Sequence, residues 1–552
     1  MQEKNRKFEV WTVMSIVFFL LFLLILVYPL FGILKQSLYD KEGALTFANF
    51  AKFFAKKYYT NTIINSFKVT ITVTFVSLLI GIPLSYFYSF YRLKGAKIIF
   101  VVSILCCMSA PFLGALSWIM LLGRNGVITK FFLNVFKIKL GSIYGFKGIL
   151  LVQALKYFPL VFIYMNGAFR NIDNTLIEAS ANMGCTGVNR FFKIILQLSM
   201  PTVLAASLMV FMQAFADFGT PMIIGEGYRT FPVEIYSQYL GENGRDYGFA
   251  AAISVIAILI TAVVFFLQQW ATGKYRFSIS ALHPVAKKEA KGIRGFLMHL
   301  YAYLLIIIGF APNLYIIYLS FVNSDGAVFK SGFSINNYRL AAKKLLVRSI
   351  KNTLSLGIGA LIIIIVFSVI VAYLVVRRSS PINHAIDTMA MLPYIMPGAV
   401  VGIALVMAFG AKPFALTGTM TIMILNLVVR RMPYTIRSAS ATLMQISPSI
   451  EEAAISLGAS KLKTFAQITV PLMSSGIVSG AILSWVAIVT ELSGSIILYN
   501  NKTITLTMST YVQINRGNYG TACAFAAILT VVTILSLLIY VKVSGNEDDI
   551  KL

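Results

Sequence analysis

Two acidic residues lie in stretches of the chain that are otherwise apolar, and they could act on an ion or a proton. Asp217 lies in "FMQAFADFGTPMIIG", and Glu491 lies in "SWVAIVTELSGSIIL", a matching stretch further along the chain. An ionisable group at membrane depth is costly unless it faces protein or water, so such residues are functional candidates. We predict that the pair lines a translocation pathway, where it favours a cationic cargo or forms part of a gate. The alternative is structural, with each carboxylate bonded to backbone or hydroxyl groups at a helix distortion.

The residues that follow these acids predict a break in the helix. Gly219 and Pro221 come shortly after Asp217, and a proline removes a helical N–H group and crowds the preceding turn. Broken helices at membrane depth are tolerated where the backbone lines a cavity. Ser493 stands at the matching place after Glu491, but no proline follows it, so the two sites are not equivalent. Gly219, Pro221 and Ser493 therefore join the two acids as predicted pathway or gate residues.

A charged segment punctuated by small residues also occurs twice, at the same separation as the two acids. "EASANMGCTGVNRFFKIILQLSMP" begins at Glu178, and "EAAISLGASKLKTFAQITVPLM" begins at Glu452. Good helix formers, a glycine that permits a left-handed stop and a capping hydroxyl predict a helix, a tight turn and a second helix. A rigid surface helix can dock in a groove of another protein, and the alternative is a helix lying on lipid headgroups. Two matched copies favour docking against a symmetric partner. The predicted docking residues are Glu178, Ala179, Gly184 and Thr186 in the first copy, and Glu452, Ala453, Ala454, Gly458 and Ser460 in the second.

The elements that position these residues are predicted to be membrane-spanning helices. The chain has 552 residues, of which 58% are hydrophobic and 12% charged, and its mean hydropathy is +0.80. Apolar stretches of the ~20 residues needed to cross a bilayer recur along its length, which predicts an all-α, polytopic protein of about twelve spans. Basic residues at the start of the chain place the N-terminus in the cytoplasm, and an even number of spans returns the C-terminus to the same side.

The repeats predict two tandem, pseudo-symmetric halves of six spans each. We assign residues 1–273 to the first half, with its docking loop near 169–200, and 298–552 to the second, with its loop near 436–470. The stretch 274–297, "KYRFSISALHPVAKKEAKGIRGFL", is predicted to be a basic cytoplasmic linker. A parallel duplication implies a central pathway at a pseudo-two-fold axis along the membrane normal, as in transporters.

Other classes of function are disfavoured by composition. The formal charge of +27 fits cytoplasmic loops beside anionic headgroups, and nucleic-acid binding is not expected. The four cysteines and three histidines form no disulfide framework and no metal-binding motif, so no metal site is predicted. The sequence contains no GxxxxGK[ST] loop, so ATP and Mg²⁺ are expected only on a partner subunit and no enzymatic activity is predicted for this chain.

Both repeated segments resemble the cytoplasmic EAA loop of ABC importer permeases, in which a Glu-Ala-Ala sequence is followed by a glycine six residues after the Glu. The resemblance implies a type I permease whose loops supply coupling helices to two copies of an ATPase, with cargo delivered by an extracytoplasmic binding protein. It implies alternating access and a location in the cytoplasmic (inner) membrane. The first copy departs from the pattern at Ser180 and at Gln197, where the second has Ala454 and Pro471. We expect the first copy to dock less conventionally, with Pro201 as its helix breaker.

Three further stretches narrow the resemblance. "LLGRNGVIT", "DFGTPMIIG" and "PVEIYSQY" are similar to fused permeases of the ferric iron type, a group that resembles permeases for 2-aminoethylphosphonate, thiamine, sulfate and polyamines. Ferric iron is the leading expectation for the cargo. The outer loops share a Y-x-Q pattern, predicted to dock the binding protein, at Tyr236 and Gln238 and at Tyr511 and Gln513. The alternative for these tyrosines is a membrane-edge belt.

Two rival functions remain open from the sequence. The first is a secondary transporter that uses Asp217 or Glu491 as a proton or sodium site. The duplicated docking segment argues against it, because a self-sufficient carrier has no need of two matched docking helices. The second is a membrane scaffold without transport, which explains neither the paired acids nor the broken helices.

Overall fold

The computed structural model describes residues 10–39, 43–108, 111–241, 246–274 and 287–543. The predicted all-α fold is confirmed in these residues, since helices account for nearly all of the regular structure. Half of the predicted linker, residues 275–286, and the basic and acidic residues at the two ends of the chain lie outside the described residues.

The helices before the linker include long apolar ones and several short ones. In chain order they are α1 (Val10–Phe22), α2 (Tyr28–Leu38), α3 (Ala48–Ala55), α4 (Lys57–Phe90), α5 (Ala96–Met108), α6 (Pro111–Leu122), α7 (Val127–Phe136), α8 (Phe146–Arg170), α9 (Asn174–Asn182), α10 (Gly187–Arg190), α11 (Leu196–Leu198), α12 (Met200–Phe215), α13 (Gly219–Ile224), α14 (Phe231–Leu240) and α15 (Tyr247–Lys274).

The helices after the linker repeat much of this order. They are α16 (Gly292–Ser320), α17 (Asn336–Lys344), α18 (Leu346–Arg377), α19 (Pro381–Ile395), α20 (Gly398–Phe409), α21 (Met420–Gln445), α22 (Pro448–Ser456), α23 (Lys461–Thr464), α24 (Val470–Leu472), α25 (Ser474–Val489), α26 (Ser495–Leu498), α27 (Leu506–Asn515) and α28 (Tyr519–Val543). Short π-helical turns occupy Leu23–Val27, Phe191–Ile195 and Phe465–Thr469.

Strands are few in the described residues. The two-residue strands β1 (Tyr91–Arg92) and β2 (Lys288–Glu289) pair in parallel. The strands β3 (Val322–Asp325) and β4 (Val328–Phe333) form an antiparallel hairpin after α16.

The long helices are suited to a bilayer. Eight of those described are long and apolar enough to cross a membrane, and up to eleven if each of three sharply bent helix pairs is one span, against the roughly twelve predicted. On α4, the side chains of Ile71, Phe75 and Leu79 form an exposed row at four-residue spacing. On α18, the side chains of Ile358, Ile362 and Val366 form a second row with the same spacing. These apolar rows are the surfaces that lipid would cover.

The described residues form two compact units that do not follow the order of the sequence. Of the described residues, one unit comprises those up to Lys52, Ile235–Ile256 and those from Phe321 onward, and the other comprises Phe53–Glu234 and Ala257–Ser320. The first spanning segment, α1 and α2, is therefore grouped with the second half of the chain, and α16 is grouped with the first half. The sequence boundaries at 273 and 298 concern the repeat and stay a prediction.

Each unit has its own apolar core. In the unit that contains α4, the core is built from α4, α8, α12 and their neighbours, with large buried side chains such as Phe158 and Phe162. In the other unit, Trp11 packs against Tyr373 of α18 and Phe465, with ring centroids 4.4 and 5.1 Å apart. Tight packing of this kind holds helices together where the surrounding lipid is as apolar as the side chains.

Candidate functional site

The tight turn of the repeated segment is the same in both copies. After α22, the N–H of Gly458 donates to the carbonyl of Ile455 (2.9 Å), and the N–H of Ala459 donates to that of Ala454 (3.1 Å). After α9, Gly184 and Cys185 make the matching pair of bonds, both 2.9 Å long. This is the Schellman motif, whose glycine must be left-handed, and the φ angles of Gly184 and Gly458 are +76° and +91°. The predicted helix, turn and helix are thus present in each copy.

The caps of these short helices differ between the copies. The Asp173 side chain accepts from the N–H of Thr175 at the start of α9 (2.9 Å), and the Ser447 hydroxyl accepts from that of Ser449 at the start of α22 (3.4 Å). The predicted cap of the second helix forms at Ser460, which accepts from the N–H of Lys463 (3.3 Å). Thr186 makes no such bond, so that expectation is wrong for the first copy.

Large apolar side chains stand out from both segments at matching positions. In the first copy they are Leu176, Met183 and Val188, and in the second they are Ile450, Leu457 and Leu462, which occupy the corresponding places of the repeat. Met183 is 77% exposed and Leu457 is 89% exposed, directly before the glycine of each turn. Two matched apolar rows on otherwise polar loops form a surface of the kind that a partner protein covers.

The residues of the predicted docking set lie on or beside this surface. Glu178, Ala179, Glu452 and Ala453 are exposed, as are Gly184, Thr186, Gly458 and Ser460. Ala454 is buried instead, and so is Ser180 at the matching position of the first copy. The third residue of each triplet therefore faces the protein. The docking role of the exposed residues stays a prediction.

An ion pair that the sequence did not reveal holds the second segment. Glu451 accepts from the Nε of Arg377 at the end of α18 (2.9 Å) and from the hydroxyl of Tyr373 (3.1 Å). Arg377 also donates to the carbonyl of Ile446 (2.7 Å). Both partners are about nine-tenths buried. The first copy has no counterpart, because the residue that matches Glu451 is Ile177, a buried member of the apolar core.

A π-helical turn and a sharp bend join each segment to the next span. The π-turns Phe191–Ile195 and Phe465–Thr469 occupy matching places in the two copies, and the bends that follow measure 75° before α12 and 68° before α25. The first phenylalanine of each turn packs edge-on against a tyrosine of a long helix, Phe191 on Tyr86 and Phe465 on Tyr373, with ring centroids 5.0 and 4.8 Å apart. Each segment is therefore packed against one long helix, α4 in the first copy and α18 in the second.

Asp217 lies at the predicted break between α12 and α13. One carboxylate oxygen accepts from the N–H groups of Gly219 (3.0 Å) and Thr220 (3.3 Å). The other accepts from the Thr220 hydroxyl (2.7 Å) and from the amide of Gln153 on α8 (3.1 Å). Gly219 and Pro221 are buried in the first turn of α13. The break is confirmed, and the bonds are those of the structural alternative.

Glu491 has the matching position between α25 and α26 but a different set of partners. Its carboxylate accepts from the guanidinium groups of Arg430 and Arg431 on α21, from the N–H of Gly494 (2.9 Å) and from the Ser493 hydroxyl (3.2 Å). Since both acids are buried and fully bonded, neither offers a free carboxylate to a cation. Their role in a pathway stays a prediction that these contacts do not support.

The Y-x-Q residues lie on α14 and α27. Tyr236 and Gln238 are half-buried, whereas Tyr511 is 3% exposed and Gln513 is fully buried. Burial, followed by the nearby Tyr511, raises the pKa of the Tyr236 hydroxyl above its ordinary value. This conformation does not present Tyr511 and Gln513 to a docking protein, because both are covered by their own chain.

A second repeated pattern holds the outer loops and was missed in the sequence. The Asn65 amide donates to the carbonyl of Arg229 (3.1 Å), and the neighbouring Ser66 hydroxyl accepts from the N–H of Phe231 (2.8 Å). In the second half, the Asn352 amide donates to the carbonyls of Lys502 (2.8 Å) and Ile504 (2.9 Å), and the Thr353 hydroxyl accepts from the N–H of Leu506 (2.9 Å). The signal was an Asn followed by a hydroxyl residue at the start of two long apolar stretches.

No group of three or more His, Cys, Asp or Glu side chains that could hold a metal ion occurs in the part of the chain that the structure describes. The candidate site is thus a pair of surface segments and the broken helices beyond them. A duplicated, polytopic all-α architecture is typical of membrane transport proteins.

Comparison with known proteins identifies the family. Residues 4–276 and 364–544 match the family described as "binding-protein-dependent transport system inner membrane component". The chain belongs to this family and carries its domain twice.

Several relatives extend over much of the chain. It is 28% identical over 557 residues to the ferric transport system permease protein FbpB of Actinobacillus pleuropneumoniae, which covers 98% of this chain and 79% of the relative. It is 23% identical over 476 residues to the Fe(3+)-transport system permease protein FbpB 2 of Haemophilus influenzae, covering 84% and 86%. It is 24% identical over 251 residues to PhnU of Salmonella typhi, named for a 2-aminoethylphosphonate transport system, covering 45% and 86%. The predicted resemblance to fused permeases of this type is confirmed.

Proposed function

We propose that this chain is the membrane permease subunit of an ATP-driven importer. It carries a small solute from an extracytoplasmic binding protein into the cytoplasm by alternating access. Two separate ATPase subunits, which bind ATP and Mg²⁺, dock on the loops around Glu178–Gly184 and Glu452–Gly458. The chain resides in the inner membrane with both termini in the cytoplasm.

The observation that carries this proposal is the pair of matched surface segments. Each displays the same three apolar positions around a left-handed glycine, and each continues through a π-turn and a bend into a span. An apolar side chain as exposed as Leu457 is stabilised when a partner covers it, at ~25 cal/mol per Å² of buried apolar area. A secondary transporter has no use for such a surface, and the family assignment also argues against it.

Ferric iron is the first candidate for the cargo, and 2-aminoethylphosphonate is the second. The proposal rests on the names of the relatives, of which the ferric transport permeases extend over more of this chain than PhnU does. Uptake of radiolabelled ferric iron, measured in cells with and without the gene and after ATP depletion, tests it. Uptake that depends on both the gene and ATP, and that excess 2-aminoethylphosphonate leaves unchanged, fixes iron as the cargo. Gene-dependent uptake of the phosphonate alone would reverse the order.

A charged residue in place of the most exposed apolar side chain of each segment tests the docking surface directly. Leu457→Asp places a carboxylate where an apolar contact is proposed, so co-purification of the ATPase with this chain should fall at least tenfold. Met183→Asp tests the other copy. Val328→Asp is the matched control, because Val328 is 62% exposed on β4 and belongs to neither segment, and its substitution should leave ATPase binding unchanged. Normal ATPase binding by Leu457→Asp and Met183→Asp would refute the proposed docking surface.

A further inference from the structure

The corner of the protein around Glu491 carries more positive than negative charge. The guanidinium groups of Arg430 and Arg431 share this single carboxylate, which gives the group a net charge of +1. All three side chains are nearly buried, with 10%, 15% and 2% of their surfaces exposed. A buried charge without a counter-charge is strongly unfavourable, so an excess of this kind calls for a further anionic partner.

Hydrogen-bonding atoms in the same corner are also unused. The Nε atoms of Arg430 and Arg431 and both amide atoms of Asn426 are buried, and none has a partner among the described residues. Buried polar groups are normally bonded, and a cluster of exceptions points to a missing ligand or water. Asn426 and Arg430 lie one turn apart on α21, and all three residues surround the loop from Glu491 to Gly494.

The backbone is shaped to bring these groups together. A Cβ atom on Gly398 at the start of α20 would clash with the Ser493 hydroxyl and would lie 2.6 Å from Nη1 of Arg430. A Cβ atom on Gly494 would lie 2.5 Å from Oδ1 of Asn426. Only glycine fits at either position, so α20, α21 and the Glu491 loop approach one another more closely than side chains would allow.

The arginine pair lies in the interior of a long helix. Arg430 lies ten residues after Met420, the first residue of α21, which is ~15 Å along the helix axis at ~1.5 Å per residue. Lipid headgroups meet the ends of spanning helices, so a position inside the helix favours a soluble anion as the occupant.

We propose that Asn426, Arg430 and Arg431 form a binding site for a soluble oxyanion, bearing a phosphonate, phosphate or carboxylate group. The planar fork of a guanidinium is suited to pairs of such oxygens. The site occurs once although the fold is duplicated, because Val152, Lys156 and Tyr157 stand at the matching positions of the first half. For the proposed importer, and resting on that function, it means that the cargo crosses as an anion: a phosphonate itself, or ferric iron held by an anionic ligand.

Anion binding can be measured without the ATPase or the binding protein. The purified full chain is placed in nanodiscs of phosphatidylcholine, and equilibrium binding of radiolabelled inorganic phosphate and methylphosphonate is measured at constant ionic strength. We expect saturable binding with one site per chain. Arg431→Gln should weaken it more than tenfold, since it leaves a neutral pair of Arg430 and Glu491. Arg437→Gln is the matched control, because that arginine of α21 is half-exposed and pairs with Asp387.

Glu491→Gln gives a second, opposite test. It raises the charge of the corner, so the affinity for the anion should increase, whereas a merely structural role of the cluster predicts no tighter binding from any variant. This variant also decides the question if Arg431→Gln fails to fold. Absence of saturable binding to the wild-type chain, or equal weakening by Arg437→Gln, would overturn the proposal.

Two further arms separate the alternatives. If added phosphatidylglycerol displaces the phosphate that is bound in phosphatidylcholine nanodiscs, a lipid headgroup is the occupant and the proposal is wrong. Ferric uptake in cells carrying Arg431→Gln separates this inference from the proposed function. Unchanged uptake removes the site from the pathway and leaves the permease assignment intact, whereas anion binding by a chain that supports no ATP-dependent uptake refutes the permease function alone.

Discussion

At the scale of single residues, the two repeated segments differ at one matching position, which is occupied by Ile177 in the first copy and by Glu451 in the second. Ile177 packs into an apolar core, whereas Glu451 is held by Arg377 and Tyr373. Counted from the matching residues Asn65 and Asn352, Phe90 of α4 takes the place of Arg377 and is also buried in that core. The same anchoring is thus achieved by packing in one copy and by a buried ion pair in the other.

This difference predicts how the second segment responds to substitution. Arg377→Phe leaves the Glu451 carboxylate buried without its cation, which should cost about 3–5 kcal/mol. Adding Glu451→Ile reproduces the pair found in the first half and should restore most of the loss, because an apolar pair of similar volume avoids the desolvation of two charges. Thermal unfolding of the single and double variants in detergent measures both effects. A single variant as stable as the wild type would contradict this account.

The sequence identified several of these residues without their partners. Asp217 and Glu491 were recognisable as symmetric acids, but nothing in the chain indicated that two arginines on α21 converge on Glu491. Their separation from it along the chain becomes a contact only through the packing of α21 on α25. The role of Glu451 was hidden for the same reason, since Glu452 alone fits the repeated pattern.

At the scale of elements, the tight turn of each repeated segment depends on one left-handed glycine. An added Cβ would meet no atom within 4 Å at Gly184 or Gly458, so a substitution there is resisted by backbone conformation and not by a clash. The cost of a non-glycine residue in this conformation is about 1–2 kcal/mol.

Alanine substitution isolates this effect. Gly458→Ala and Gly184→Ala should each destabilise the tight turn of one repeated segment. Each should also reduce stimulation of the ATPase by the permease several-fold. Gly517→Ala is a matched control, because Gly517 has φ of +72° with open space around it but lies after α27. All three variants should lose similar stability, and only the first two should lose stimulation, as measured by ATP hydrolysis in proteoliposomes. Equal loss of stimulation in Gly517→Ala would show that the turn has no specific role.

Local chemistry made the turns predictable, as well as the break beside Pro201, and left the π-turns unforeseen. Gly184 and Gly458 indicate a left-handed stop, so helix, turn and helix followed from the sequence. The π-turns at Phe191–Ile195 and Phe465–Thr469 have no such signature, because they arise where each phenylalanine packs on a tyrosine of another helix. The missing cap at Thr186 shows that a suitable residue type does not ensure the bond.

At the scale of the whole molecule, the first spanning segment packs with the second half of the chain. Trp11 is 2% exposed and packs against both Tyr373 and Phe465, which links the N-terminal helix to the second repeated segment. Duplication was readable from the spacing of the repeats, but this interleaving was not, since the sequence contains no sign of which long helix will receive Trp11.

A substitution near the N-terminus should therefore affect the far end of the chain. Trp11→Ala removes a buried indole and should cost about 3–5 kcal/mol, as large-to-small core changes do. Trp270→Ala, at a side chain that is 66% exposed, is the control and should be nearly neutral. Protease protection of the Phe465 region should fall in Trp11→Ala alone. Unchanged protection in that variant would mean that the N-terminal helix does not support the second segment.

The interleaved packing of Trp11 also sets a condition on biosynthesis. Ribosomes add ~5–20 residues per second, so the stretch of chain between Trp11 and Tyr373 takes roughly 20–70 s to emerge. Throughout that interval the nascent N-terminal helix lacks the neighbour on which it packs. The N-terminal helix must therefore remain in the membrane without its packing partner until the second half has been synthesised. Assembly of the protein requires that this helix stay inserted throughout that interval.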